Sequence, residues 1–201
     1  MGEVLTYEQV RSSLREEAEA AQLEVLAATE TVDWATCHRT FSLRCATNFH
    51  RPNYRVYAEM SFSWSPILTA ESVHPTASCL LYHADDEPCR HEEFEPDAVV
   101  QLEVRYAFGS PPPEEIPAVA EYLWELVESV IPSREVELRF PVAQARGGTL
   151  RCYESCIYYS LEFRPYEDEL PFREVMQEAR ALLEKMENSK ILLRFADEED
   201  Y

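Results

Sequence analysis

The chain has 201 residues and carries 38 Asp and Glu against 18 Lys and Arg, a formal net charge of −20 at pH 7. Nucleic acids and anionic membranes attract proteins chiefly through Lys and Arg, so this charge argues against both as partners. A hydrophobic share of 46% excludes a wholly disordered acidic polymer and supplies enough apolar side chain for a buried core.

Near the start, Met1-Gly2-Glu3-Val4-Leu5-Thr6 fits a myristoylation pattern, but Thr6 and Gln9 have the spacing of a capping box that opens a helix. Tyr7, Val10, Leu14, Ala18, Ala21 and Val25 share one helical stripe, so residues 6–28 are expected to form an amphipathic helix. Phe41, Leu43 and Cys45 alternate with Ser42, Arg44 and Ala46. After a turn at Asn48 to Asn53, a longer alternation of Tyr54, Val56, Ala58, Met60, Phe62 and Trp64 begins, and the pair reads as a β-hairpin. Residues 65–97 hold Pro66, Pro75, Pro88 and Pro96 among histidines and acids, with at most one short strand at Ser78 to His83. A connection this long is usually functional or irregular.

Val100, Leu102, Val104, Tyr106 and Phe108 alternate as a further strand. Pro111 to Pro113 stop it, and Ile116, Val119, Ala120, Leu123, Leu126, Val127, Val130 and Ile131 form a helical face that ends at Pro132. Val136, Leu138, Phe140 and Val142 make the next strand. Gly147-Gly148 turns the chain into a long strand over Thr149 to Arg164, where Leu150 and Cys152 fall out of phase and mark a bulge. Pro171 opens a third helix with Phe172, Val175, Met176, Ala179, Leu182, Leu183 and Met186 on one face, and Ile191, Leu193 and Phe195 read as a last strand.

From residue 98 onward the order is β-α-β-β-α-β, which resembles the split-βαβ, ferredoxin-like arrangement with both helices on one face of an antiparallel sheet. Val136-Glu-Leu-Arg-Phe140 and Ile191-Leu-Leu-Arg-Phe195 echo one another, each following a helix. The expected class is α+β. Residues 1–64 supply a helix and hairpin on the same core, 65–97 a long loop, 98–196 the ferredoxin-like unit and 197–201 an acidic tail.

Four glycines, Gly2, Gly109, Gly147 and Gly148, leave no GxGxxG or GxxxxGK[ST] loop, and neither GxSxG nor HExxH occurs. Six cysteines behind an opening without a secretory pattern are expected to be reduced thiols of a cytoplasmic protein. Cys79, His83, Cys89 and His91 bring two thiols and two imidazoles within 13 residues, enough ligands for tetrahedral zinc, although the spacing matches no standard finger. No other cofactor is implied. Cys37-His38 are strand neighbours on opposite faces, and Cys152 and Cys156 read equally as small core residues, so no catalytic residue is assigned.

Charge is segregated by element. Arg44, Arg55, Arg105, Arg139 and Arg194 lie opposite the apolar strand phases among Tyr57, Glu59, Glu103 and Glu137, either as cross-strand pairs or as an Arg/Tyr recognition surface. Glu121, Glu125 and Glu128 share a helix with no basic residue from Pro111 to Ser133. The leading expectation is a non-catalytic acidic binding or regulatory module: an inhibitor, an immunity- or antitoxin-like protein, or an assembly subunit, with a homo-oligomer as a further form of association. It would dock on a basic protein partner through Glu121, Glu125, Glu128, Arg55, Tyr57, Arg105 and Arg139. The alternatives are a metal- or thiol-dependent enzyme using the Cys/His residues of 74–91 and a small-ligand sensor using the open sheet face. A metal assay separates the enzyme from the other two.

Overall fold

The structure, a computed structural model, describes residues 5–33, 38–47, 56–64, 99–140, 142–144, 150–152, 155–165 and 170–195. Helix α1 (Tyr7–Ala20) starts with the expected capping box: Thr6 Oγ1 accepts from the Gln9 N–H at 3.3 Å, and Gln9 Oε1 accepts from the Thr6 N–H at 2.7 Å. The helix ends eight residues before the expected boundary at 28. Gln22 adopts a φ of 60°, the Leu23 N–H donates to the Ala18 carbonyl at 3.0 Å and the Gln22 N–H to the Glu19 carbonyl at 2.9 Å. This is a complete Schellman stop built on a residue other than glycine. The chain then forms strand β1 (Glu24–Asp33), whose residues up to Ala28 had been expected to continue the helix.

Strands β2 (His38–Ala46), β3 (Tyr57–Trp64) and β4 (Val100–Phe108) follow. Next come helix α2 (Ile116–Val130), the short strands β5 (Glu137–Arg139), β6 (Val142–Gln144) and β7 (Leu150–Cys152), strand β8 (Ser155–Phe163) and helix α3 (Phe172–Glu187). The main sheet is antiparallel and six-stranded in the order β1-β2-β3-β4-β8-β5, and β6 pairs with β7 apart from it. The expected strands over 136–142 and 149–164 are therefore each divided in two.

Since β4 and β5 each pair antiparallel with the intervening β8, they run parallel, joined through α2 as in a split βαβ unit. The expected last strand does not form: Leu192–Phe195 is a 3-10 turn. The edge of β4 that a returning strand would take is already held by β3, whose Tyr57 to Phe62 pair with Ala107 to Leu102.

One face of the sheet is apolar, with Leu43, Met60, Leu102, Val104, Tyr106 and Ile157 fully buried. The helices cover that face, α3 packing against both α1 and α2, and the stripes expected for α2 and α3 join one continuous core. Helix α3 buries seven side chains, Phe172, Val175, Met176, Ala179, Leu182, Leu183 and Met186. Each of the larger ones contributes roughly 1.5–3 kcal/mol of apolar transfer.

Candidate functional site

Helix α2 buries Val119, Leu123, Leu126 and Val127 against the core. A helix that commits those positions must turn the intervening ones outward. Glu121, Glu125 and Glu128 are accordingly exposed, and Trp124 lies among them with 43% of its surface in contact with solvent. The spacings 121, 124, 125 and 128 place the indole and the three carboxylates on one side of the helix.

The electrostatics of this ridge differ from those of the other helices. Glu8 pairs with Arg39, Glu17 with Arg173, Glu19 with Arg15, Glu115 with Arg194 and Glu184 with Arg180, at 2.9–3.4 Å. Among the described residues, none of Glu121, Glu125 and Glu128 enters an ion pair of this kind. Lys185 reaches α2 at the Ser129 hydroxyl, 2.9 Å away. Trp124 was not among the contact residues expected from charge. Its signal was legible all the same, as a large aromatic three residues after Glu121 and outside the apolar phase.

The other expected contact residues lie on the sheet face opposite the helices. The register aligns Arg44, Glu59, Arg105, Tyr158 and Glu137 across five strands, and Tyr57, Ala107, Cys156 and Arg139 in the next row. Arg44 donates to Glu59 at 3.1 Å and stacks on Tyr57, 4.2 Å from the ring centre. Arg139 lies 3.3 Å from the Tyr158 ring centre and 2.8 Å from Glu137. Arg105, between Glu59 and Tyr158, also has a partner. Tyr57, Arg105 and Arg139 thus share one face, with Tyr57 and Arg139 engaged within the sheet, while the α2 ridge lies on the far side of the core. The two groups of expected contact residues do not form one patch. Arg55 lies outside the described residues.

Cys79, His83, Cys89 and His91 lie outside the described residues too, as does the whole of 65–97. Among the described residues, no group of three or more His, Cys, Asp and Glu side chains is arranged to hold a metal. Cys45 and Cys156 are buried, and burial pushes the Cys45 thiol up to about 12, which keeps it protonated. No helix among the described residues is long and apolar enough to cross a membrane.

A buried polar chain lies under α3. The Tyr159 hydroxyl donates to Glu178 Oε2 at 3.1 Å and approaches the Tyr106 hydroxyl at 3.4 Å. Arg134, in the turn after α2, donates to both Glu178 oxygens at 3.1 Å and approaches Glu174 at the same distance. Burial raises both tyrosines above their ordinary range, and the Glu178 carboxylate adds to the effect. The chain ties β4, β8, α3 and the turn after α2 together. Comparison with protein-family models, curated proteins and solved structures finds no match to this chain.

Proposed function

We propose that the protein is a non-catalytic binding module that occupies a basic surface of a partner protein through α2. The observation that carries this reading is the exposed Trp124 among three carboxylates that have no cationic partner among the described residues. A tryptophan left in water on a folded surface offers a large apolar area for burial on association, and such residues dominate interface energetics. The carboxylates around it repel one another and would be relieved by Lys or Arg from a partner, which can also stack on the indole. Charge of this kind steers encounter, while the aromatic anchor sets residence time.

The scaffold is a split-βαβ unit of ferredoxin-like type in which β3 stands in for the last strand, and such a fold hosts many functions. An inhibitor, an immunity- or antitoxin-like protein, or an assembly subunit would each act by covering a partner in this way. Buried thiols at Cys45 and Cys156 fit a reducing cytoplasmic setting.

The test is capture of partners from the native cell, followed by binding kinetics on the protein identified. Glu121→Lys with Glu125→Lys should lower the on-rate at least ~10-fold, and added salt should lower it for the unmodified chain. Trp124→Ala should act mainly on the off-rate. Kinetics indifferent to both changes and to salt would leave the ridge a solubility feature and overturn the reading.

A further inference from the structure

Strand β1 forms one edge of the six-stranded sheet, and all of its residues but Leu26 pair with β2, on one side alone among the described residues. An edge of this length presents a row of backbone donors and acceptors, and proteins usually block such rows with proline, lysine or a bulge. β1 contains neither proline nor lysine. Its single irregularity, between Val25 and Ala27, leaves Ala27 to Asp33 in unbroken register with β2. Two apolar side chains on the strand, Leu26 and Val32, are each 36% exposed.

We propose that β1 pairs antiparallel with β1 of a second copy of this chain, about a two-fold axis at Thr29, joining the two sheets into one. That register is self-complementary. Within the regular stretch Ala27 of each copy faces Thr31 of the other and Ala28 faces Glu30, while Leu26, the extra residue at the irregularity, comes beside Val32, so no acid opposes an acid. Neighbouring registers are worse. Moving the axis to Glu30 sets that carboxylate against its own copy. A one-residue slip also turns every side chain to the other face, which would put the helices of the two copies on opposite sides. In the proposed register Ala28 and Glu30, register partners of the buried Leu43 and Phe41, meet on the helix side.

Each copy carries a charge of −20, so long-range repulsion opposes the encounter and salt relieves it. This dependence is opposite in sign to that of the basic partner on α2, and the surface is distinct from α2, so either proposal can fail alone.

The test is sedimentation equilibrium on the full chain from ~1 μM to ~1 mM at low and high salt. The expected result is a monomer–dimer equilibrium that tightens with salt. Val32→Glu and Leu26→Lys should each weaken it at least ~10-fold, and the double variant should return within ~3-fold of the unmodified chain, because the introduced charges then face each other across the axis. Mild oxidation of Thr29→Cys should give a 29–29 link by peptide mapping, while Thr31→Cys gives no 31–31 link, since only position 29 meets its own copy. A chain that stays monomeric at every concentration and salt overturns the proposal. So does a dimer indifferent to both single changes, or a 31–31 link in place of 29–29.

Discussion

Gln22 bears the backbone conformation that ends α1 and sends the chain into the sheet. A φ of 60° costs a residue with a Cβ about 1–2 kcal/mol relative to the right-handed region, and glycine avoids this at some cost in unfolded-chain entropy. The two Schellman hydrogen bonds and the packing of buried Leu23 beside buried Ala18 hold Gln22 there. Gln22 Oε1 also accepts from Arg180 Nη1 at 2.7 Å, a bond that both Gln22→Gly and Gln22→Ala lose, so Gln22→Ala, which keeps the strained φ, is expected to be about 1 kcal/mol less stable than Gln22→Gly, read as a lower urea midpoint with an unchanged slope. The tryptophans show the same dependence of a residue on its setting. Trp64, 3% exposed, packs edge-on against Phe62 and Tyr7, whereas Trp124 lies on the water side of its helix. Residue type is shared, and only the first has an intramolecular role in the core.

Among the elements, the 3-10 turn at Leu192–Phe195 depends most on a single neighbour. Leu192 is buried, Arg194 reaches Glu115 at 3.0 Å, and the Phe195 carbonyl lies against Gly109 at the end of β4. A Cβ at position 109 would fall 2.1 Å from that oxygen. The obstacle is backbone, so the turn must move as a body or detach. Gly109→Ala is expected to cost about 1–3 kcal/mol and to speed amide exchange across 192–195 more than in α3. Denaturant unfolding measures the first effect and exchange mass spectrometry the second. Equal exchange in both segments would mean that the turn is not held at Gly109.

Across the whole molecule, the chain of Tyr106, Tyr159, Glu178 and Arg134 links β4, β8, α3 and the turn after α2. The Arg134 and Glu178 side chains are 18% and 12% exposed, so each charge depends on the other more than a surface pair would. Glu178→Leu leaves the guanidinium with Glu174 alone and the Tyr159 hydroxyl without its acceptor, and is expected to cost about 3 kcal/mol. Arg134→Met leaves a buried carboxylate instead and is expected to cost a similar amount. The double variant should cost less than the sum of the two by roughly 1–3 kcal/mol, measured as a double-mutant cycle in urea. Strict additivity would show that the two side chains are not coupled.

Local chemistry made several parts of this protein readable in advance. The capping box at Thr6 and Gln9, the apolar phases of β2, β3 and β4, and the faces of α2 and α3 each follow from residues within a turn or two of one another, so no distant contact was needed to infer them. The acidic character of α2 was likewise plain from its composition. Tertiary structure decided the rest. Residues 24–33 became a strand because α1 stops at a residue that carries no glycine signal and because β2 offers its edge. Residues 192–195 became a turn although they alternate like a strand, because β3 had filled the place beside β4. Which arginines are engaged on the sheet, and which carboxylates on α2 remain without a cation, depends on cross-strand register and on which helix lies beside which. Periodicity shows which side of an element is apolar; whether its other side meets a partner or water is set by elements far away in the chain.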